Sequence, residues 1–410
     1  MAEVTPFHGL RYDETKAGPL RDVISPPYDV ISETERAALY ERSPYNAVRL
    51  EAGRDEPGDD PVTNRYTRAK AAIESWLGAG VLKVDAVPAF YLHDHYFELG
   101  GQRIRRRGFF GGLRLYQEGR GIVRPHEKTF ATPKIDRLRL LRATRTNTSP
   151  VFGMFDDAKG AVAAALEAWM VRGPARLVAD ARVGTERHLL WALDDKPLAG
   201  KLSGLLKDKR VYIADGHHRY ETAMAYLREE QEAGRVELDD DSVQFVLTFL
   251  CALDDPGLRI FATHRVVTGA RDAVDAAVAR SMDTAVIDRG ALGDIQPGIV
   301  LVRDGTYTTL TPKAGLDLSA LPESWRTLPV AQAEELVLRP ARDAGAEVSY
   351  EHDIEVAIDA ARDGTSTILL RAVSAATLQS VADAWERLPQ KTTYFYPKVP
   401  AGLVFRPLGD

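Results

Sequence analysis

The chain has 410 residues, 45% of them hydrophobic and 27% charged, with a formal net charge of −6. That is an ordinary globular balance, enough for two or three domains or one enlarged α/β domain, and its acidic sign argues against broad capture of nucleic acid. The lone cysteine, Cys251, excludes an internal disulfide framework and a cysteine-based zinc site, and the lack of a basic-then-apolar start or a long apolar window leads us to expect a cytoplasmic protein with no membrane partner.

In chain order, Asp22-Val23-Ile24-Ser25-Pro26-Pro27-Tyr28-Asp29 carries two prolines and cannot be a helix interior. Asp29 reads there equally as a turn former and as a functional carboxylate. Ser32-Glu33-Thr34-Glu35 is a capping box that predicts a helix to about Arg42. A second helix is predicted from Asn64 to about Leu77, on the spacing of Tyr66, Ala69, Ala72, Ile73 and Trp76. Residues 89–99 and 102–110 alternate around Gly100-Gly101 and predict a hairpin. Its cluster of Arg103, Arg105, Arg106 and Arg107 reads mostly as a solvated strand face.

Further helices are expected at about 158–171, closed by Gly173-Pro174, and at 193–206. A short apolar strand, Arg210 to Ala214, runs into Asp215-Gly216-His217-His218-Arg219 and then a helix to about Gly234. Ser242 to Leu253 reads as a long buried strand, with Cys251 a buried apolar residue rather than a nucleophile. Beyond about residue 281 short strands at 299–303, 306–309 and 367–370 alternate with helices near 330–337, 353–363 and 374–387. The expected fold is α/β (α+β) with a mixed sheet: a core over residues 1–280, an inserted hairpin region near 88–155, and an α+β addition over 281–410.

The chemistry concentrates at Asp215 to Arg219. A strand entering a helix through a glycine aims backbone N–H groups and the positive helix end at one spot, which suits phosphate. Gly216 lets the backbone approach a ligand, Arg219 can grip phosphate oxygens bidentately, and His217 and His218 add donors or proton relays. Asp215 can hold magnesium or orient a histidine. Adjacent histidines project apart, which disfavours zinc at this motif.

Two other stretches supply candidates. The loop His126-Glu127-Lys128-Thr129 offers a general base, a phosphate-binding lysine and a hydroxyl. It precedes a basic run, Lys134 to Arg145, in which Ile135, Leu138 and Leu141 form the apolar face; its arginines read evenly as solvated or functional. Near the end, Lys391 and Lys398 flank Thr392-Thr393-Tyr394-Phe395-Tyr396 and could reach a phosphate from a sheet edge. His8, His93, His95, His188, His264 and His352 have no convergent partners in the sequence and are expected to be structural.

Ala214-Asp215-Gly216-His217-His218-Arg219-Tyr220-Glu221-Thr222-Ala223 closely resembles the signature of the bacterial and archaeal domain of unknown function 1015 family. Ser25-Pro26-Pro27-Tyr28-Asp29-Val30-Ile31 resembles its N-terminal block, and Gln390 to Lys398 its C-terminal block. Its central block is matched by Pro125 to Thr129, Asp136-Arg137-Leu138 and Asn147 to Gly153. The Asp-Gly-x-His-Arg core also resembles the phosphate-contacting turn of the ParB/sulfiredoxin superfamily, which includes CTP-binding partition proteins, sulfiredoxin and kinases of free serine.

This resemblance implies a ParB/sulfiredoxin-like core in which Gly216, His218 and Arg219 grip phosphate, with Asp215 alongside; Lys128 and Lys391 are the further phosphate-binding candidates from their own segments. Asp215, His217, Glu127 and His126 are the catalytic candidates, Asp215 also the magnesium candidate. The implied ligands are ATP or ADP, or CTP, with Mg2+, and a small-molecule substrate as partner. The implied function is a kinase-like phosphotransferase acting on a metabolite hydroxyl such as that of free serine. A ParB-like nucleotide-binding protein associated with DNA and a non-catalytic phosphometabolite sensor use the same grip and stay open alternatives.

Overall fold

The computed structural model describes residues 2–117, 119–127, 131–172, 175–236, 242–294 and 298–409, without the side chains of 131–133, 172 and 294. Lys128, Thr129 and the expected helix stop at Gly173-Pro174 lie outside the described residues. The chain forms two compact units: Met1–Pro125, Thr129–Leu258 and Pro397–Asp410 make the first, and His126–Lys128 with Arg259–Tyr396 the second.

The first unit is built on a nine-stranded mixed sheet. Its strands are β1 (Val4–Thr5), β2 (Phe90–Leu99), β3 (Gln102–Arg114), β4 (Val123–Pro125), β5 (Val151–Phe155), β6 (Arg176–Val183), β7 (Glu186–Leu193), β8 (Val211–Asp215) and β9 (Phe245–Ala252). They lie in the order β4-β8-β5-β9-β3-β2-β7-β6, with β1 paired to β3. β4 with β8 and β5 with β9 are parallel, and the remaining pairs are antiparallel. This is the expected α/β class with a mixed sheet.

The predicted hairpin forms β2 and β3. Gly100 and Gly101 both take positive φ (57° and 74°), the conformation a two-residue turn between right-twisted strands demands. Of its arginines, Arg103 and Arg105 are exposed as expected, but Arg106 is 0% exposed. The period of two explains the correction: Arg106 shares its strand face with Ile104, opposite to that of Arg103 and Arg105. Arg106 donates to the Pro397 carbonyl (2.6 Å), and its guanidinium lies over the rings of Phe152 and Phe249.

The helices follow the sequence signals closely. α1 (Glu33–Arg42) starts at Ser32 with the reciprocal capping box, and α2 is the single turn Val48–Glu51. α3 (Arg65–Gly78) is capped by Asn64. α4 (Ala131–Thr144) buries Leu140 and Leu141 but leaves Ile135 54% exposed, so Ile135 is not on the apolar face. α5 spans Ala161–Arg172. The helix expected from Leu193 begins at Lys196 (α6, Lys196–Leu206), because Leu193 still belongs to β7 and Asp195 caps the helix through the Leu198 N–H. α7 (His217–Glu232) packs Tyr220, Ala223, Met224 and Leu227 into the core, an i, i+3, i+4, i+7 stripe.

The second unit holds a six-stranded antiparallel sheet. Its strand order is Met282–Ile287, Thr306–Pro312, Ile299–Arg303, Ser366–Leu370, His264–Thr268, Glu347–Glu351. A separate ribbon pairs Arg259–Ala262 with Thr393–Tyr396. Of the aromatic run only Phe395 is buried. Among the described residues no helix is long and apolar enough to cross a membrane.

Strand packing is tightest at Gly108 of β3. A Cβ there would stand 2.4 Å from the Phe249 ring and 2.5 Å from the Leu250 carbonyl oxygen. Gly108→Ala therefore overpacks the sheet centre, and urea unfolding should report a loss of about 1–3 kcal/mol with an unchanged m-value.

Candidate functional site

β8 ends beside a break in sheet register. It pairs antiparallel with β5 up to Ile213 opposite Gly153, but the next pair is Asp215 with Phe152, so Ala214 is extra. Such a bulge bends the strand and re-aims the side chains that follow it. Gly216 then takes φ 84° and serves as the N-cap of α7, with no side-chain cap. A Cβ at Gly216 would lie 2.9 Å from Arg219 Nε, so glycine answers two demands: positive φ, and room for the guanidinium to fold back over the turn.

Around this turn the charges interlock. Asp215 Oδ1 accepts from the Gly216 N–H (2.7 Å), and Oδ2 accepts from Lys398 Nζ (2.9 Å) and lies 3.6 Å from Arg219 Nη2. Burial opposes ionisation of Asp215, but Lys398 and Arg219 outweigh it and hold the carboxyl well below the usual range. Arg219 donates through Nη1 to the Pro150 carbonyl, while its Nε is buried with no hydrogen-bond partner among the described residues. Burial opposes its charge too, and Asp215, Asp29, Glu51 and Tyr28 together keep it protonated.

Segments distant in sequence converge here. Glu51, 1% exposed, accepts from Thr148 Oγ1 (2.5 Å) and Ser149 Oγ (2.6 Å). Arg137 donates to the Glu51 backbone carbonyl (2.7 Å), pairs with Asp136 and stands 4.0 Å over the ring of Tyr28. A cavity of about 160 Å³ is lined by Tyr28, Glu51, Arg65, Tyr66, Asp136 and Arg137, among others. Asp29 is exposed on the adjoining turn, Tyr28–Val30.

The sequence candidates therefore separate into two groups. Asp215, Gly216, His217, His218 and Arg219 stand together at the start of α7 in the first unit. His126, Glu127 and Lys391 meet one another in the second: the Lys391 N–H donates to Glu127, and His126 Nε2 lies 3.4 Å from Thr393 Oγ1. Lys128 lies outside the described residues. The basic run divides as well, with Arg139, Arg142 and Arg145 exposed and Arg137 packed under Tyr28.

Sequence reasoning missed Glu51, whose polar partners come from a segment almost a hundred residues away. It also read His93, His95 and His188 as lacking partners, yet they meet on one face of β2 and β7. The signal available was their spacing, His93-x-His95 and Glu186-x-His188, which sets each pair on one strand face.

Removing Asp215 leaves Lys398 and Arg219 facing each other in a largely buried site. Asp215→Ala should cost about 3–5 kcal/mol in urea unfolding at pH 7. Because the folded-state pKa of Asp215 is depressed, its contribution is complete above the unfolded value of about 3.9 and disappears as pH falls through the lower folded value. The deficit of the variant should accordingly be constant from pH 5 to 8 and shrink only below about pH 4.

Comparison with known proteins places the chain in a family. No curated protein matches it. Among solved structures, a variant of a free serine kinase in complex with ADP is 12% identical, with 67% of this chain and 84% of that chain covered and a TM-score of 0.38. SbnI with C-terminal truncation from Staphylococcus aureus is 11% identical, with 68% and 81% covered and a TM-score of 0.37. A conserved hypothetical protein from Pyrococcus furiosus is 12% identical, with 68% and 90% covered and a TM-score of 0.34. A family model described as protein of unknown function (DUF1015) matches residues 4–331, most of the chain. The chain belongs to the DUF1015 family.

Proposed function

We propose that the first unit binds a nucleoside triphosphate at the Asp215–Arg219 turn and transfers its terminal phosphoryl group to the hydroxyl of a small metabolite. The observation that carries this reading is Arg219. A buried guanidinium with an unused Nε–H bears a desolvation penalty of about 1–3 kcal/mol, and a phosphate oxygen is the acceptor that relieves it. Lys398 adds a second cation, and α7 directs its positive end at the same place. The resemblance of the motif to the phosphate-contacting turn of the ParB/sulfiredoxin superfamily supports ATP or ADP, with CTP as the other candidate, and free serine as the acceptor.

Magnesium enters this scheme on the phosphate oxygens of the nucleotide. Asp215 is a poor ligand for it, since both its oxygens already accept from donors and two cations flank it. Asp29 is the accessible carboxylate within the electrostatic reach of Arg219, and Glu51 is committed to Thr148 and Ser149. In transfer, the acceptor oxygen bonds to the γ-phosphorus, the β–γ bridging bond breaks toward the nucleoside diphosphate, and Asp29 takes the hydroxyl proton. Catalysis by such a site is positioning and charge neutralisation. The net charge of −6 gives the DNA-associated reading no support.

Thermal unfolding with ATP, ADP, CTP and GTP, each with and without Mg2+, tests this reading. A nucleotide at a hundred times its Kd should add about 2.7 kcal/mol to stability, and Arg219→Ala should abolish the shift. Release of the nucleoside diphosphate on addition of serine distinguishes a kinase from a sensor, which would bind without turnover. No shift with any nucleotide sinks the proposal.

A further inference from the structure

A second buried polar centre of the first unit lies in the sheet itself, on β3, β2 and β7. β3, β2 and β7 are adjacent and antiparallel, and their register sets Arg106, His95 and His188 directly opposite one another in a row. His93 and Glu186 are each two residues from that row on the same strand faces, on opposite diagonals. His93 and His95 are 0% exposed and His188 is 2%, whereas the Glu186 side chain is 32% exposed. Three imidazoles and a carboxylate thus share one face of the sheet, closed on the inside and open to water only along Glu186.

The distances are those of a ligand set. His95 Nε2 lies 2.7 Å and His188 Nε2 3.7 Å from Glu186 Oε2, and the three ligand atoms all lie within 4.8 Å of one another. Ligands about 2.0–2.1 Å from a tetrahedral ion stand roughly 3.4 Å apart. His93 Nε2 lies 3.1 Å from His188 Nδ1. An Nδ1–H on His188 donated to His93 leaves the His188 Nε2 lone pair directed at Glu186, the outer partner a metal-bound histidine normally has. His93 Nδ1 is itself buried with no hydrogen-bond partner among the described residues, so this group is not closed as a purely structural network.

We infer that His95, His188 and Glu186 bind a divalent transition-metal ion of the zinc class. Two imidazoles with one carboxylate favour zinc, cobalt, nickel or iron(II) over magnesium or calcium, which take oxygen ligands. The exposed side of Glu186 leaves a further position for water. Arg106 stands on the far side of His95, its Nη2 3.3 Å from Nδ1, and burial disfavours its charge more than Asp255 and Glu186 favour it. With Nδ1 accepting from Arg106, the metal-free ring carries its proton on Nε2, toward Glu186. Metal binding at Nε2 shifts the ring proton to Nδ1, so the ring stays neutral and the Arg106 contact at Nδ1 has to open.

The experiment uses the full chain, stripped with EDTA and equilibrated with Zn2+ or Co2+. One equivalent should bind, Co2+ should give visible d–d absorption from nitrogen and oxygen ligands, and Zn2+ should raise the melting temperature. His188→Gln and Glu186→Gln should each weaken binding by more than the roughly 10–100-fold expected when an outer partner is lost, and His93→Phe should fall within that range. Urea unfolding of the metal-free variants checks that each still folds; Glu186→Gln, at a partly exposed position, serves if a histidine variant does not. Absence of stoichiometric binding, or equal affinity in wild type and Glu186→Gln, overturns the inference. Arg219→Ala should keep the metal while losing nucleotide, so this inference and the nucleotide reading can fail separately.

Discussion

The first unit's site depends on one carboxylate held between two cations. Asp215 is the point where the end of strand β8, the first turn of a helix and a residue 183 positions further along the chain are tied together. Each contact alone is an ordinary charge-assisted hydrogen bond or ion pair. In a largely desolvated setting they are interdependent, because removing any one leaves the others uncompensated. The Ala214 bulge and the left-handed Gly216 are the backbone adjustments that let Asp215 turn toward both cations at once.

The same logic explains why the family's sequence blocks are dispersed. Tyr28 covers Arg137, Arg137 holds the Glu51 carbonyl, Glu51 binds Thr148 and Ser149, and Pro150 accepts from Arg219. Every link joins a different segment to the next. The result is a chain of satisfied polar contacts that fixes Arg219 while leaving its Nε unused.

Much of the fold was legible where the signal was local. The capping box at Ser32, the apolar spacing of the helix after Asn64, the Gly100-Gly101 turn, and the strand–glycine–helix step at Asp215 all rest on neighbours within a few residues, and all formed. What could not be read depends on register. Arg106 looked like surface charge until its strand face was fixed by pairing with β2, and the histidines of β2 and β7 acquire partners only when His95 stands opposite His188. Glu51 sits in an unremarkable helical turn, and nothing within the turn announces its two hydroxyl donors. Long-range pairing of this kind is set by which strands are neighbours, and a single sequence does not state that.

The route of the chain also sets a timetable. Pro397–Asp410 returns to the first unit, bringing Lys398 to Asp215, the Pro397 carbonyl to Arg106, and Arg406 to the carbonyls of Ser242 and Phe245. During synthesis at about 5–20 residues per second, roughly 10–40 s pass between the emergence of Asp215 and that of Lys398. Through that interval the strand end and its helix exist without their lysine, and the sheet holds a buried arginine still lacking its carbonyl. The nascent chain therefore lacks the finished charge cluster of Asp215, Arg219 and Lys398 until the second unit has been made.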